Sequence, residues 1–184
     1  MTTLASRAQL RASFLRWALF VVPAVMLLGF LSGQLSGSGA GDPWFDALEK
    51  PSIYPPSMWF GIVWSVLYVM MGIALALVCA AWGARGRTAA IIAFAVQFLL
   101  NLAWSPVFFG AHQITAALVV ILLLDAALVV TIVLFWRVRK LAAWLLVPYL
   151  AWTIFATALT YEFLRLNPDA DGQETSNAVQ RIEI

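Results

Sequence analysis

Apolar residues along this chain fall into five long runs, at about 15–31, 58–82, 88–110, 114–136 and 141–164. A helix needs about 20 mostly apolar residues to cross a bilayer, and each run meets or approaches that length. The runs do not alternate as half-buried strands would; 116–124 is apolar at every position, as in a helix embedded in lipid. Only Arg85, Arg87 and Asp125 bring charge into 58–136, and the two arginines fall in the break between the second and third runs. The pattern predicts an all-α integral membrane protein, a multi-pass bundle of five transmembrane helices over 15–167. Residues 1–14 and 168–184, polar and without periodicity, read as flexible flanks.

Basic residues set the expected orientation, because Lys and Arg are retained on the cytoplasmic side. Arg7, Arg11 and Arg16 lie at the start, Arg85 and Arg87 after the second span, and Arg137, Arg139 and Lys140 after the fourth. The alternate connections are poor in them. All three basic segments then share one side, which predicts a cytoplasmic N-terminus and a C-terminus outside. Three arginines before an apolar run also fit a cleavable signal peptide, with Ser38-Gly39-Ala40 as a tolerable cleavage site.

Composition narrows the classes further. The chain has 184 residues, 63% hydrophobic and 11% charged, with a mean hydropathy of +0.90. A soluble domain is roughly 45–50% apolar and about 25% charged, so a disordered chain and a basic nucleic-acid binder are both excluded. A net charge of only +2 says little about partners. One Cys and one His leave no basis for a disulfide framework, a metal cluster or a Ser-His-Asp arrangement.

The connection 34–57 is far longer than the others, and loops beyond about 12–15 residues are usually functional or disordered. Its first part, 34–41, is rich in Gly and Ser and reads as flexible. Its second part, 43–56, carries Trp44, Phe45, Leu48, Ile53 and Tyr54, and Pro51, Pro55 and Pro56 make it stiff and extended. Two readings stand: a segment lying in the headgroups with aromatic anchors, or a lid folded over a cavity at the outer helix ends.

Inside the spans, polar residues are few enough to weigh singly. Asp125 falls near the middle of the fourth span, where an acid costs about 2.5–3.5 kcal/mol to insert, so it should face protein or water. It is a structural acid bonded to a neighbouring helix, a ligand-orienting group or a proton relay. Gln97 and Asn101 are one turn apart and point the same way, with Trp104 beside them. They bond between helices or form one polar wall of a cavity. Six of the nine Trp lie near span ends, as an interfacial belt requires. Trp64, Trp104 and Trp152 lie deeper, and with Tyr68, Phe108 and Tyr149 they offer flat apolar surface for a flat conjugated or steroidal ligand. Gly72, Ala76 and Ala80, and separately Ala89 and Ala93, recur at the spacing that allows close helix approach, within one chain or between two. Leu159-x-Tyr161-x3-Arg165 matches a short sterol-contact pattern that is common at span ends.

Three ordered motifs go beyond composition. Trp44-Phe45-Asp46-x-Leu48-x-Lys50-Pro51-Ser52-x-x-Pro55-Pro56 leads into Trp59-x-Gly61-x-x-Trp64 and Leu67-Tyr68. Gln97-x-x-x-Asn101-x-x-Trp104-Ser105-Pro106-x-Phe108-Phe109-Gly110 occupies the third span, and Pro148-Tyr149-Leu150-x-Trp152 the fifth. In this order they resemble the tryptophan-rich sensory protein / translocator protein family, also called the peripheral-type benzodiazepine receptor family. The resemblance implies five spans, which disfavours a cleaved first segment, and a homodimer with a pocket under the first loop. It further implies porphyrin ligands (protoporphyrin IX or haem), sterols such as cholesterol, and no obligatory cofactor. By motif position, Trp64 and Trp152 would flank the ligand, Gln97 and Asn101 would give its polar wall, Phe45 and Pro55 would come from the lid, and Ala156 would lie on the floor. Phe45 stands where Tyr is common, Thr160 where Asn often follows Leu, and Leu164 where an aromatic often precedes Arg; these departures weaken the sterol expectation.

Three functions compete at this point. The first is a porphyrin-binding sensor, receptor or carrier. The second, implied by the resemblance, is light- and oxygen-dependent porphyrin degradation, with Trp64 and Trp152 as the catalytic pair; no conventional acid–base constellation accompanies it. The third is a small proton-coupled transporter using Asp125, against which the odd number of spans argues mildly. Helical spans fit a bacterial cell membrane, although relatives in the family also occur in outer membranes.

Overall fold

A computed structural model describes residues 7–38 and 41–172. Five helices in it are long and apolar enough to cross a membrane. They are α1 (Arg7–Leu35), α3 (Met58–Cys79), α4 (Arg87–Ser105), α5 (Ile114–Val138) and α6 (Lys140–Leu166), with the short α2 (Pro43–Ala47) in the long loop. The predicted five-helix bundle is what the chain forms. Around the bundle the neighbours run α1, α3, α6, α5, α4 and back to α1, so the ring closes although the chain order does not follow it.

Small residues set the tightest seam. A Cβ on Gly72 would lie 2.7 Å from the Val22 Cα, so α1 and α3 approach at that point more closely than any side chain permits. The Gly72 spacing therefore serves a contact within the chain. Gly29 lies directly beneath the Tyr68 ring. Between α1 and α4, Ser32 Oγ donates to the Leu102 carbonyl at 2.6 Å. Ala89 and Ala93, by contrast, are not in the core.

Several boundaries differ from those read in the sequence. Helix α1 starts at Arg7, inside the segment expected to be a flexible flank, because a helix already committed to the membrane extends readily into polar residues that need no burial. It also runs past Gln34 to Leu35. Helix α3 ends at Cys79 and not at 82, because Arg87 turns back on it: its Nη2 donates to the Cys79 carbonyl at 2.8 Å, and its Nε lies within reach of the Val78 and Cys79 carbonyls. These are carbonyls left orphaned by the helix end. The proposed cleavage site includes residues 39 and 40, which lie outside the described residues.

Helix α4 passes into a π-helical turn over Pro106–Gly110. Pro106 has no N–H to give, and the Ala111 N–H reaches back five residues to the Pro106 carbonyl at 2.8 Å. The widened turn presents Phe108 buried and Phe109 half-buried towards the long loop.

Candidate functional site

The long loop folds over one end of the bundle. Asp42 starts α2 by accepting hydrogen bonds from the Trp44 and Phe45 N–H groups at 2.9 and 3.2 Å, and Pro43 supplies the preset φ of the first turn. The segment 43–56 is thus helical at its start, where the sequence suggested extension throughout. Trp44 and Leu48 are buried, and Trp44 packs edge-on to Phe108 at 5.6 Å. A lid is the reading the loop fulfils.

Phe45 is the hub beneath it. Its ring meets Phe109 at 5.3 Å, Phe163 at 5.6 Å, Tyr54 at 6.1 Å and Phe108 at 6.2 Å. Lys50 reaches back over this ring, 4.0 Å from its centroid, and donates to the Phe45 and Leu48 carbonyls. Burial lowers the Lys50 pKa, opposed by the Asp46 and Asp42 charges. Burial raises that of Tyr54, and Asp46 raises it further.

The residues after α6 tie the lid down. Asn167 accepts from the Glu49 N–H at 2.7 Å and donates to the Glu49 carbonyl at 3.0 Å. Trp44 Nε1 donates to the Ala170 carbonyl at 3.3 Å, and the Gly172 N–H to the His112 carbonyl at 2.8 Å. His112 stacks on Trp44 at 4.5 Å. So the segment expected to loosen from 168 is fastened through 172; residues 173–184 lie outside the described residues.

Deeper in the bundle a second aromatic group forms. Trp64 stacks on Tyr68 at 5.2 Å and meets Tyr149 edge-on at 6.2 Å. Tyr68 donates to Asn101 Oδ1 over a long 3.4 Å. Trp152, on α6, meets Phe60 at 5.8 Å and Phe155 at 5.3 Å. Trp104 lies flat on Phe108 at 5.0 Å. Gln97 is fully buried, and neither atom of its amide has a hydrogen-bond partner; the same holds for the indole nitrogens of Trp104 and Trp152. Buried polar atoms are normally paired, and each left unpaired costs about 1–3 kcal/mol. Between the lid and this group, Pro55, Pro56, Trp59, Val63, Trp152 and Phe155 line an apolar groove of about 390 Å³.

The structure therefore brings Trp64, Tyr68, Asn101 and Tyr149 into direct contact, and Phe45, Trp104 and Phe108 into the group under the lid. Pro55 and Trp152 share the groove. Asp125 stands apart on the seam of α5 and α6, where Thr157 Oγ1 donates to its Oδ2 at 2.8 Å while Oδ1 has no partner. Ala156 is half-buried and its carbonyl accepts from Thr160. The sterol pattern is split: Leu159 is buried, Tyr161 is 54% exposed, and Arg165 pairs with Glu162 at 2.7 Å. Sequence reading missed Phe60 and Phe163, which link lid and interior; only their place among other aromatics marks them. Among the described residues no group of His, Cys, Asp and Glu is arranged to hold a metal ion.

A ring of five apolar helices, aromatic inside and roofed by a loop at one end, defines a polytopic membrane protein. Residues 20–166 match the TspO/MBR family model, and the chain belongs to that family. It is 44% identical over 126 residues to the tryptophan-rich protein TspO of Chlorobaculum tepidum, covering 68% of this chain and 80% of that one. It is 42% identical over 136 residues to the human translocator protein, 73% of this chain and 80% of that one. Protein CrtK of Rhodobacter capsulatus is 38% identical over 138 residues, with 74% and 84% covered. The resemblance carried by the three motifs is borne out.

Proposed function

We propose that this protein binds porphyrins, protoporphyrin IX or haem, as a membrane receptor, sensor or carrier. The ligand lies between the α3 and α6 aromatics beneath the lid. One observation carries the reading: the amide of Gln97 and the indole nitrogens of Trp104 and Trp152 are buried within the bundle without hydrogen-bond partners. A flat macrocycle with pyrrole nitrogens and carboxylates offers stacking surface together with donors and acceptors for such atoms. In this reading Trp64 and Trp152 flank the ring, Gln97 and Asn101 give the polar wall, Phe45 and Pro55 close over it, and Ala156 lies below.

Sterol binding is the weaker part of the proposal, because Leu159 and Tyr161 do not present one surface. Ala89 and Ala93 on α4 offer a close-approach face for a second copy, in keeping with a homodimer. The basic helix ends support a reading with the N-terminus on the cytoplasmic side of a bacterial cell membrane and the C-terminus outside.

The test is a titration with protoporphyrin IX followed by tryptophan quenching. Trp64→Ala and Trp152→Ala should each weaken binding by about three- to tenfold, since an aromatic pair contributes about 0.5–1.5 kcal/mol. Unchanged affinity in both variants would place the ligand elsewhere.

A further inference from the structure

Charge is distributed along the bundle with extreme asymmetry. Arg16, Arg85, Arg87, Arg137, Arg139 and Lys140 all lie at the end opposite the lid, while residues 7–38, 80–112 and 126–161 contain no Asp or Glu. The ion pair of Arg165 with Glu162 belongs to the lid end. Arg16, Arg85, Arg137, Arg139 and Lys140 are exposed. Helices α4 and α6 begin here, at Arg87 and Lys140, while α3 and α5 end here, at Cys79 and Val138, so the helix dipoles partly offset and the positive potential comes from the side chains. Among the described residues, none of these six cations forms an ion pair with a carboxylate.

The aromatic residues beside these cations give the surface its depth in the bilayer. Arg87 lies 4.4 Å over Trp82, which meets Trp17 at 6.4 Å; Lys140 lies 5.5 Å from the Trp136 ring centroid, and Trp136 meets Trp144 edge-on at 5.9 Å. Trp82, Trp136 and Trp144 are 68%, 44% and 60% exposed. Indoles settle at the headgroup boundary, which puts the adjoining guanidinium and ammonium groups at the level of lipid phosphate.

We infer that this end of the bundle is a docking surface for anionic phospholipid, with the α5–α6 turn as its strongest patch. Three exposed cations there, Arg137, Arg139 and Lys140, adjoin two exposed indoles, Lys140 lying nearest to Trp136, so a phosphate meets charge while the acyl chains lie against Trp136 and Trp144. The surface is independent of the porphyrin reading, being at the other end of the helices.

Purified protein in neutral detergent is titrated with phosphatidylglycerol or with phosphatidylcholine of the same acyl chains, and retained lipid is counted by native mass spectrometry. The wild type should hold phosphatidylglycerol in preference. That preference should shrink as salt rises from about 0.01 to about 1 M, over which the screening length falls about tenfold. Replacing Arg137→Gln, Arg139→Gln and Lys140→Gln together should weaken phosphatidylglycerol binding by about fivefold for each charge removed and leave phosphatidylcholine unchanged. Equal retention of the two lipids by the wild type, or a preference that the triple change leaves intact, overturns the inference and reduces these residues to an orienting signal. Should the triple variant fail to fold, the wild-type lipid comparison across salt decides alone.

Discussion

Gly72 and Gly61 lie on the same helix and have opposite tolerances. A methyl at Gly72 would collide with the backbone of α1 at Val22, whereas one at Gly61 would meet nothing within 4 Å. Gly72→Ala should therefore cost about 1–3 kcal/mol by overpacking, while Gly61→Ala should be neutral or gain up to about 1 kcal/mol of helix propensity. Thermal unfolding in one detergent checks both; equal midpoints for the two variants would show that the α1–α3 seam yields. Asn167 is a second residue whose role is local and measurable. It holds both backbone groups of Glu49 and also donates to the Phe163 carbonyl, so Asn167→Ala removes three hydrogen bonds of about 0.5–1.5 kcal/mol each. Hydrogen exchange at the Glu49 amide should speed up, and unchanged protection would mean that the lid is held without this clasp.

At the scale of elements, the five spans were legible because lipid demands long apolar runs, and the chain supplies them at 58–82, 114–136 and elsewhere with few interruptions. What composition could not show was how the ends are finished. Arg87 caps α3 from the start of the next helix, a contact between groups eight and nine residues apart that no hydropathy pattern encodes. The π turn at Pro106–Gly110 depends on a missing N–H and on the backbone beyond it, and it sets the directions of Phe108 and Phe109 under the lid. The lid was readable as a greasy, proline-rich loop, but α2 and the clasp to 167–172 arise from tertiary partners. Trp64, Gln97, Asn101 and Trp152 were legible as site candidates through their motifs. Phe60 and Phe163 were not, since a phenylalanine in a transmembrane helix is ordinary until its neighbours are known.

For the whole molecule, the two ends of the bundle differ in kind. One end is roofed by the lid, with Asp42, Asp46 and Glu49 on it and the aromatic group around Phe45 below; the other is basic and flanked by exposed indoles. Aromatic contacts run from Phe45 through Tyr54 and Phe60 to Trp152, beside the groove lined by Pro55 and Pro56. The unpaired amide of Gln97 lies in the interior, where a hydrogen-bonding ligand would offset its desolvation. A density map of the protein saturated with protoporphyrin IX tests the porphyrin site directly. The macrocycle should lie between Trp64 and Trp152, with a polar ligand atom within hydrogen-bonding distance of Gln97 or Asn101 and the lid closed above it. Density confined to the outer groove at Pro55, Pro56 and Trp59, with the interior packed as it is here, would contradict it.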